Sequence, residues 1–389
     1  MHLSLHPLAN SNLAMASVLS EDELYRTSTQ YRLWSFSPEG LAALRAKTHN
    51  IAVQRARQYA SNDDSEPEVF TEEEELRLIQ KYTDTIRVTA DHIKLPPAVK
   101  ATAAQYLKRF YLSNSCMTYP PKDIYKTVLY LASKVENASE TVSHYAKRIS
   151  TEPEMVLAPE YKVMQALRFT LEVRHPLRGL KGVTAEMTNA VEGTVAGVVD
   201  DKSGQEVQKE MLGLGMPRQE DRTPFVPPKG GKMIVKELQR RVDAAYEAAK
   251  RVLEVPAMLT DAYMLYTPSQ MVLAALHLAD EPLTSHYLNL KLALDSPIRK
   301  KVITTIHDCA DMLAAYDAKS ILTKDERADL EKKLERCRDP STRDMVKLFQ
   351  QARQGAGDED GEKAKRKQLE REKSKKEGED LFGPGLGRG

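Results

Sequence analysis

The chain has 389 residues, 41% of them apolar and 29% charged, which is the balance of a soluble globular protein of about two domains with hydrophilic extensions. Lys and Arg together number 57 and Asp and Glu 56, so the net charge is +1, which argues against a protein whose main work is coating nucleic acid. Cys116, Cys309 and Cys337 stand too far apart for a CxxC pair or a four-thiolate zinc site, and an odd count argues against a disulfide scaffold, so the expected setting is intracellular and reduced.

No apolar run approaches the roughly 20 residues a membrane span needs. Met1 to Ala16 lacks the basic start and continuous apolar stretch of a secretory signal, and residues 1–20 are expected to be flexible. Aromatic residues make up only 6%, and β-branched alternation is rare, so the pattern favours helix over strand. Ser37-Pro38 reads as an N-cap and first helical residue, opening a helix through Leu41, Leu44 and Ile51; Ser37 could equally be a proline-directed phosphorylation site. A polar linker at 61–67 follows.

Thr71-Glu-Glu-Glu74 has capping-box spacing, and the helix it opens carries Leu76, Ile79 and Ile86. Pro96-Pro97 starts a second segment with Val99, Ala103, Tyr106, Leu107 and Phe110 on one face. A third runs from about Lys122 through Ile124, Val128, Leu131 and Val135, a fourth covers Val142 to Ile149, and a fifth begins near Pro159 with Val163, Met164 and Leu167. Between about Gly182 and Gly231 Gly, Pro and polar residues accumulate, and the stretch reads as a flexible insertion. Helical spacing returns at Met233 with Leu238, Val242, Tyr246, Ala249 and Leu253. It is followed by a capped helix at Thr267-Pro-Ser-Gln270, another after Ser296-Pro297, and a last one capped by Thr323-Lys-Asp-Glu326. Ala103-Ala104 and Ala274-Ala275 follow Pro97 and Pro268 at the same offsets, a weak sign of an internal repeat.

The sequence has no GxGxxG or GxxxxGK[ST] loop and no HExxH pair. His144 and His175 have no ligand partner at metal spacing, and Glu72–Glu75 reads as a solvated helix N-terminus. No catalytic residue, metal or cofactor is expected.

Ala104-Gln-Tyr-Leu-Lys-Arg-Phe-Tyr-Leu-Ser-Asn-Ser115, followed by Leu129-Tyr-Leu-Ala-Ser-Lys-Val-Glu136, resembles the first cyclin box. Tyr31-Arg-Leu-Trp-Ser-Phe-Ser-Pro-Glu39, Leu41-Ala-Ala-Leu-Arg-Ala46, Leu259-Thr-Asp-Ala-Tyr-Met-Leu-Tyr-Thr-Pro-Ser-Gln270 and Lys333-Leu-Glu-Arg-Cys337 narrow the likeness to the cyclin H family. The resemblance implies an all-α fold of two tandem five-helix cyclin bundles with extra N- and C-terminal helices. The expected division is 1–70 extension and helix, 71–181 first cyclin box, 182–232 flexible insertion, 233–322 second cyclin-like repeat, 323–352 C-terminal helix and 353–389 disordered charged tail. Trp34 and Phe36 are expected to pack the N-terminal helix onto the core.

In function, the resemblance implies a non-catalytic regulatory subunit that binds and activates a cyclin-dependent kinase within the kinase-activating complex of TFIIH. That complex phosphorylates kinase activation loops and the RNA polymerase II C-terminal tail. The implied partners are the kinase, a RING-finger assembly subunit and the TFIIH core, with no direct nucleic acid and no membrane, and the implied location is nuclear. Lys363-Ala-Lys-Arg-Lys367 and Lys373-Ser-Lys-Lys376 could serve as import signals or as a solvated charge run. The implied kinase-binding residues are Lys134, Glu160, Leu131, Val135, Met164, Phe169 and Leu171. Spacing adds that Leu131, Lys134 and Val135 share one helix face, as do Glu160 and Met164. Asn137 stands where the family usually has a second acidic residue, and Leu76-Arg77-Leu78-Ile79-Gln80 departs from the substrate-docking pattern of cell-cycle cyclins. The alternative is a TFIIB-like tandem cyclin-fold factor binding promoter DNA, which would favour N-terminal cysteines and a basic second domain.

Overall fold

The computed structural model describes residues 21–60, 68–195, 202–218, 222, 225–226 and 233–351. The expected charged tail and import signals therefore lie outside the described residues. The described residues form eighteen α-helices, two short 3-10 turns and no strand, as expected of an all-α chain. In chain order they are α1 Glu21–Thr27, α2 Thr29–Trp34, α3 Pro38–Ala60, α4 Glu72–His92, α5 Pro97–Phe110, α6 Pro121–Val135, α7 Val142–Arg148, α8 Pro153–Leu157 and α9 Glu160–Ala166. Then follow α10 Pro176–Val191, α11 Gly204–Leu212, α12 Val235–Glu254, α13 Pro256–Leu259, α14 Ala262–Leu265, α15 Pro268–Ala279, α16 Glu281–Lys291, α17 Arg299–Ala314 and α18 Lys324–Cys337. The chain divides into two compact units. One comprises Ser37–Leu171, Arg251–Asp261 and the chain from Asp311 onward; the other comprises the chain up to Phe36, Glu172–Lys250 and Ala262–Ala310.

The first unit is built around α5. Pro97 supplies its first turn, and Val99, Ala103, Ala104, Tyr106, Leu107 and Phe110 have no exposed surface. The adjacent Ala103 and Ala104 keep the helix thin, so that α4 and α6 pack against it. Truncating a buried leucine such as Leu107 would lose transfer energy and leave a cavity, a cost of about 2–5 kcal/mol. Thr71 and Glu74 form the expected capping box of α4, and Ser37 caps α3 by accepting the Gly40 N–H at 3.1 Å. The C-terminal helix α18 lies on α4: Lys333 Nζ reaches both Glu74 oxygens at 2.9 Å, and Tyr82 donates to Glu331.

Two cations clamp the segment 251–261 to this unit. Arg45 on α3 is bidentate to Asp261 at 2.7 and 2.8 Å. Lys108 on α5 donates to the carbonyl of Met258 at 2.7 Å and to that of Thr260. Burial pushes the Lys108 pKa down to about 8, with Asp261 opposing the shift and Arg45 adding to it.

The second unit packs α10 against α15 and α15 against α16. A Cβ on Gly179 would stand 3.4 Å from Val272 Cγ2, which shows how close α10 and α15 approach. Its most buried polar feature is an ion pair. Arg241 on α12 is bidentate to Asp280 at 2.7 and 2.8 Å, with both side chains all but inaccessible to water. Asp280 also caps α16 by accepting the Leu283 N–H at 3.0 Å.

The expected insertion at 182–232 is not structureless where it is described. Residues 182–191 belong to α10, whose Leu180, Met187, Ala190 and Val191 are buried, so the helix runs across the expected boundary at 181. Within the stretch Ser203 and Glu206 form a capping box for α11, which buries Val207 and Met211. Gln208 donates to the Val191 carbonyl at 2.6 Å and the Arg222 N–H to that of Leu278 at 2.8 Å. Glycine enrichment, read as disorder, instead serves a close backbone approach. Gly193 ends α10 at φ +72°, and a Cβ on Gly204 would fall 2.0 Å from the Gly193 oxygen. Gly204→Ala should therefore push α11 off its seat and cost about 1–3 kcal/mol, the range of an overpacked site. Hydrogen exchange checks this: α11 amides should exchange faster while those of α15 keep their protection.

Candidate functional site

Lys134 occupies the last turn of α6, where a cation complements the helix dipole. Glu160 is the first residue of α9 after Pro159, where an anion does the same. The two side chains form an ion pair that joins the helices, with Lys134 36% and Glu160 21% exposed. Lys134 Nζ also lies 4.8 Å from the centre of the Tyr130 ring, close enough for a cation–π contact.

The chain around the pair is held by left-handed residues. Asn137 follows the C-cap of α6 at φ +54°, and the Ala138 N–H returns to the Ser133 carbonyl at 2.9 Å. Asn is one of the few non-glycine residues enriched in that conformation, so its side chain suits the turn. Glu136 is turned to Thr102, whose hydroxyl donates to it at 2.6 Å.

At the end of α9, Arg168 and Phe169 are both left-handed, at φ +52° and +54°, each at a cost of roughly 1–2 kcal/mol for an L-residue. Bonds from the Phe169 N–H to the Met164 carbonyl (3.0 Å) and from the Thr170 N–H to that of Leu167 (2.9 Å) hold the turn. Its effect is to leave Phe169 57% exposed, edge-on to Tyr161, which is 68% exposed, with ring centres 6.3 Å apart.

The seven expected residues thus take different places. Lys134 and Glu160 meet. Phe169 stands in solvent beside Tyr161. Val135, Met164 and Leu171 are half-buried. Leu131 is only 3% exposed and supports α6 from the core side. Tyr130 and Tyr161 were not among the expected residues, although Tyr130 lies inside the Leu129–Glu136 motif that carried the likeness. The signal available for Tyr161 was its position one step past Glu160, off the buried Val163 stripe of α9.

All three cysteines are buried, and burial raises the thiol of Cys116 well above its usual range, that of Cys309 to about 12 and that of Cys337 to about 11. No group of three or more His, Cys, Asp or Glu side chains among the described residues could hold a metal ion. No described helix is long and apolar enough to cross a membrane.

Two family patterns divide the chain between them: "Cyclin, N-terminal domain" matches residues 46–172 and "Cyclin C-terminal domain" matches 175–314. A chain of the solved CAK complex of Chaetomium thermophilum bound to ATP-gamma-S superposes with a TM-score of 0.70 at 34% identity, covering 87% of this chain and 96% of that one. The chain belongs to the cyclin family. The yeast TFIIK complex (Kin28/Ccl1/Tfb3) contains a chain that matches at a TM-score of 0.54 and 28% identity, with 74% of this cyclin and 100% of that chain covered. Cyclin CCL1 of Saccharomyces cerevisiae is 30% identical over 287 residues, 70% of this cyclin and 62% of the relative. Further relatives carry the name cyclin-H. This cyclin spans 52–62% of the length of the first curated relatives it matches. The C-terminal cyclin pattern starts at residue 175, which places the stretch read as an insertion inside the second cyclin domain.

Proposed function

We propose that this cyclin is the non-catalytic regulatory subunit of a cyclin-dependent kinase in a kinase-activating complex of the TFIIH type, and that α6, α9 and the turn at 168–169 are where it grips the kinase. The observation that carries the reading is the Lys134–Glu160 pair joining two helix ends beside solvent-exposed Tyr161 and Phe169. Paired aromatic rings left in water, and a backbone turn that costs free energy to expose one of them, are features of a recognition surface rather than of a folding core. The charged pair offers ammonium and carboxylate groups to the backbone and end of a partner helix, and the rings offer it apolar area. Support for the kind of partner comes from the matched chains, which belong to the CAK and Kin28/Ccl1/Tfb3 assemblies.

The mechanism is leverage without chemistry. A kinase is active only when its regulatory helix places a glutamate against the catalytic lysine. A rigid shelf that binds the inward position of that helix better than the outward one shifts the kinase toward the active state by the difference in affinity. A stable pair should bury about 1,600 Å² or more. On this reading a RING-finger subunit and the TFIIH core complete the assembly, and the protein works in the nucleus.

Reconstitution tests it. Added to a Kin28-type kinase, the cyclin should raise phosphorylation of a peptide carrying the RNA polymerase II tail repeat by about 100-fold, the size of a shift from about 1% active to nearly all active. A kinase that copurifies with the cyclin yet gains no rate, or one that fails to bind at micromolar concentrations, would refute the proposal.

A further inference from the structure

The sequence holds four Ser-Pro or Thr-Pro pairs, at Ser37, Thr223, Thr267 and Ser296. Three positions after each hydroxyl stand Gly40, Val226, Gln270 and Arg299, so only the last pair is followed there by a cation. The hydroxyls also differ in their commitments. Ser37 Oγ accepts the Gly40 N–H at 3.1 Å, and Thr267 Oγ1 accepts that of Gln270 at 3.3 Å; each is a helix cap. The Ser296 hydroxyl makes no hydrogen bond among the described residues. It lies in the connection between α16 and α17, next to two strongly exposed apolar residues, Leu294 at 78% and Ile298 at 57%. Only single-turn backbone bonds hold it, from the Ser296 N–H to the Ala293 carbonyl at 3.2 Å and from the Arg299 N–H to the Ser296 carbonyl at 3.0 Å.

The charges that follow run against the helix dipole. The first turn of α17 carries Arg299, Lys300 and Lys301 and no acidic residue, at the end of a helix that prefers anions. Arg299 donates to two uncharged acceptors, the Leu292 carbonyl at 2.7 Å and Asn289 Oδ1 at 2.5 Å, and keeps its full charge. None of the three cations pairs with a carboxylate among the described residues.

We infer that Ser296 is a phosphoacceptor for a proline-directed Ser/Thr protein kinase that prefers a cation three residues on, and that its phosphate is held by the Arg299-Lys300-Lys301 cluster. Pro297 has no N–H to leave unpaired in a kinase groove and biases Ser296 toward the extended backbone a kinase reads. A guanidinium at the third position can make a bidentate contact with an anion on the kinase. In the reaction, Ser296 Oγ attacks the γ-phosphorus of ATP. The Oγ–P bond forms, the bond from phosphorus to the β–γ bridging oxygen breaks, ADP leaves with that electron pair, and the hydroxyl proton passes to the kinase's carboxylate base. The product carries a charge of about −1.5 to −2 beside three cations, which corrects the charge order of α17 and turns the apolar tip at Leu294 and Ile298 into an anionic one. This inference is independent of the Lys134 shelf, since the modifying kinase need not be the one the cyclin activates.

The test treats the folded full-length chain with ATP and a purified proline-directed kinase, and maps the phosphate by tandem mass spectrometry. Ser296 should be the principal site, and Ser296→Ala should remove most of the incorporation. Arg299→Gln should lower the initial rate roughly tenfold, the worth of one charge-assisted contact. Phosphorylated chain should melt about 1–3 °C above unmodified chain at low salt, the gain fading near 1 M salt, where screening is short-ranged. Lys300→Gln with Lys301→Gln should leave the rate alone and reduce that gain. A peptide spanning 289–303 separates recognition from access. Modification of the peptide but not of the folded chain, or phosphate only at Ser37 or Thr223, would overturn the assignment of the site. Phosphate at Ser296 with no salt-sensitive rise in melting temperature would overturn its seat.

Discussion

Asp280→Ala should cost the protein about 3–5 kcal/mol, because it strands a guanidinium where water cannot reach it. Arg241 is fully buried, and two of its nitrogens are held by the Asp280 carboxylate at 2.7 and 2.8 Å. The same carboxylate caps α16, so the alanine also forfeits a cap worth about 1 kcal/mol. Against a typical stability of about 5–15 kcal/mol, one such change brings a domain close to its limit. A double-mutant cycle in urea separates the contributions. Asp280→Asn keeps an oxygen for the Leu283 N–H but not the charge, so it should still be severe. Adding Arg241→Met removes the stranded cation and fills its channel with apolar volume, so the double variant should recover more than half of the loss. Losses that simply added up would show that the two groups do not depend on each other.

That pair also marks where reading the sequence reached its end. Arg241 stands one residue before Val242 in a run whose apolar spacing was plain, and an arginine there looks like surface. Its partner is 39 residues away, and nothing local encodes the meeting. Asp280 is as hard to read, because α15 ends and α16 begins at that one residue, leaving no polar linker to announce a second helix. Signals confined to one turn fared better. The capping boxes at Thr71, Thr267 and Thr323 all form, since each needs only a hydroxyl and an acid or amide three residues apart. The same signal at Ser203 and Glu206 was present and passed over, because the glycines around it suggested disorder. The site shows the same division. The face shared by Leu131, Lys134 and Val135 follows from spacing alone, whereas the meeting of α6 with Glu160 rests on a 26-residue separation that only a family resemblance could supply. The exposure of Phe169 depends on two left-handed residues, neither of them glycine, and composition gives no hint of that.

The largest effect on partner binding should come from Lys134→Glu. In the free chain the Lys134–Glu160 pair is partly exposed and worth no more than about 1 kcal/mol, so the variant should fold and melt within a few degrees of the parent. In a complex with the kinase the same position would be shut away from water, with two carboxylates facing each other and no ammonium to give to the partner helix. Leaving a charge unpaired in such a place costs about 2–5 kcal/mol, which is a 30-fold to several-thousand-fold rise in Kd. The charge-swapped variant, Lys134→Glu with Glu160→Lys, tests what the kinase reads. It restores an ion pair but sets each charge against its helix dipole, a loss of about 0.3–1 kcal/mol per site. If the kinase needs only an intact pair, the swap should regain most of the affinity. If it reads an ammonium at the end of α6 and a carboxylate at the start of α9, the swap should bind as poorly as the single variant, and the asymmetry of the shelf predicts this second result. Calorimetry giving Lys134→Glu the parental Kd would remove these helix ends from the interface altogether.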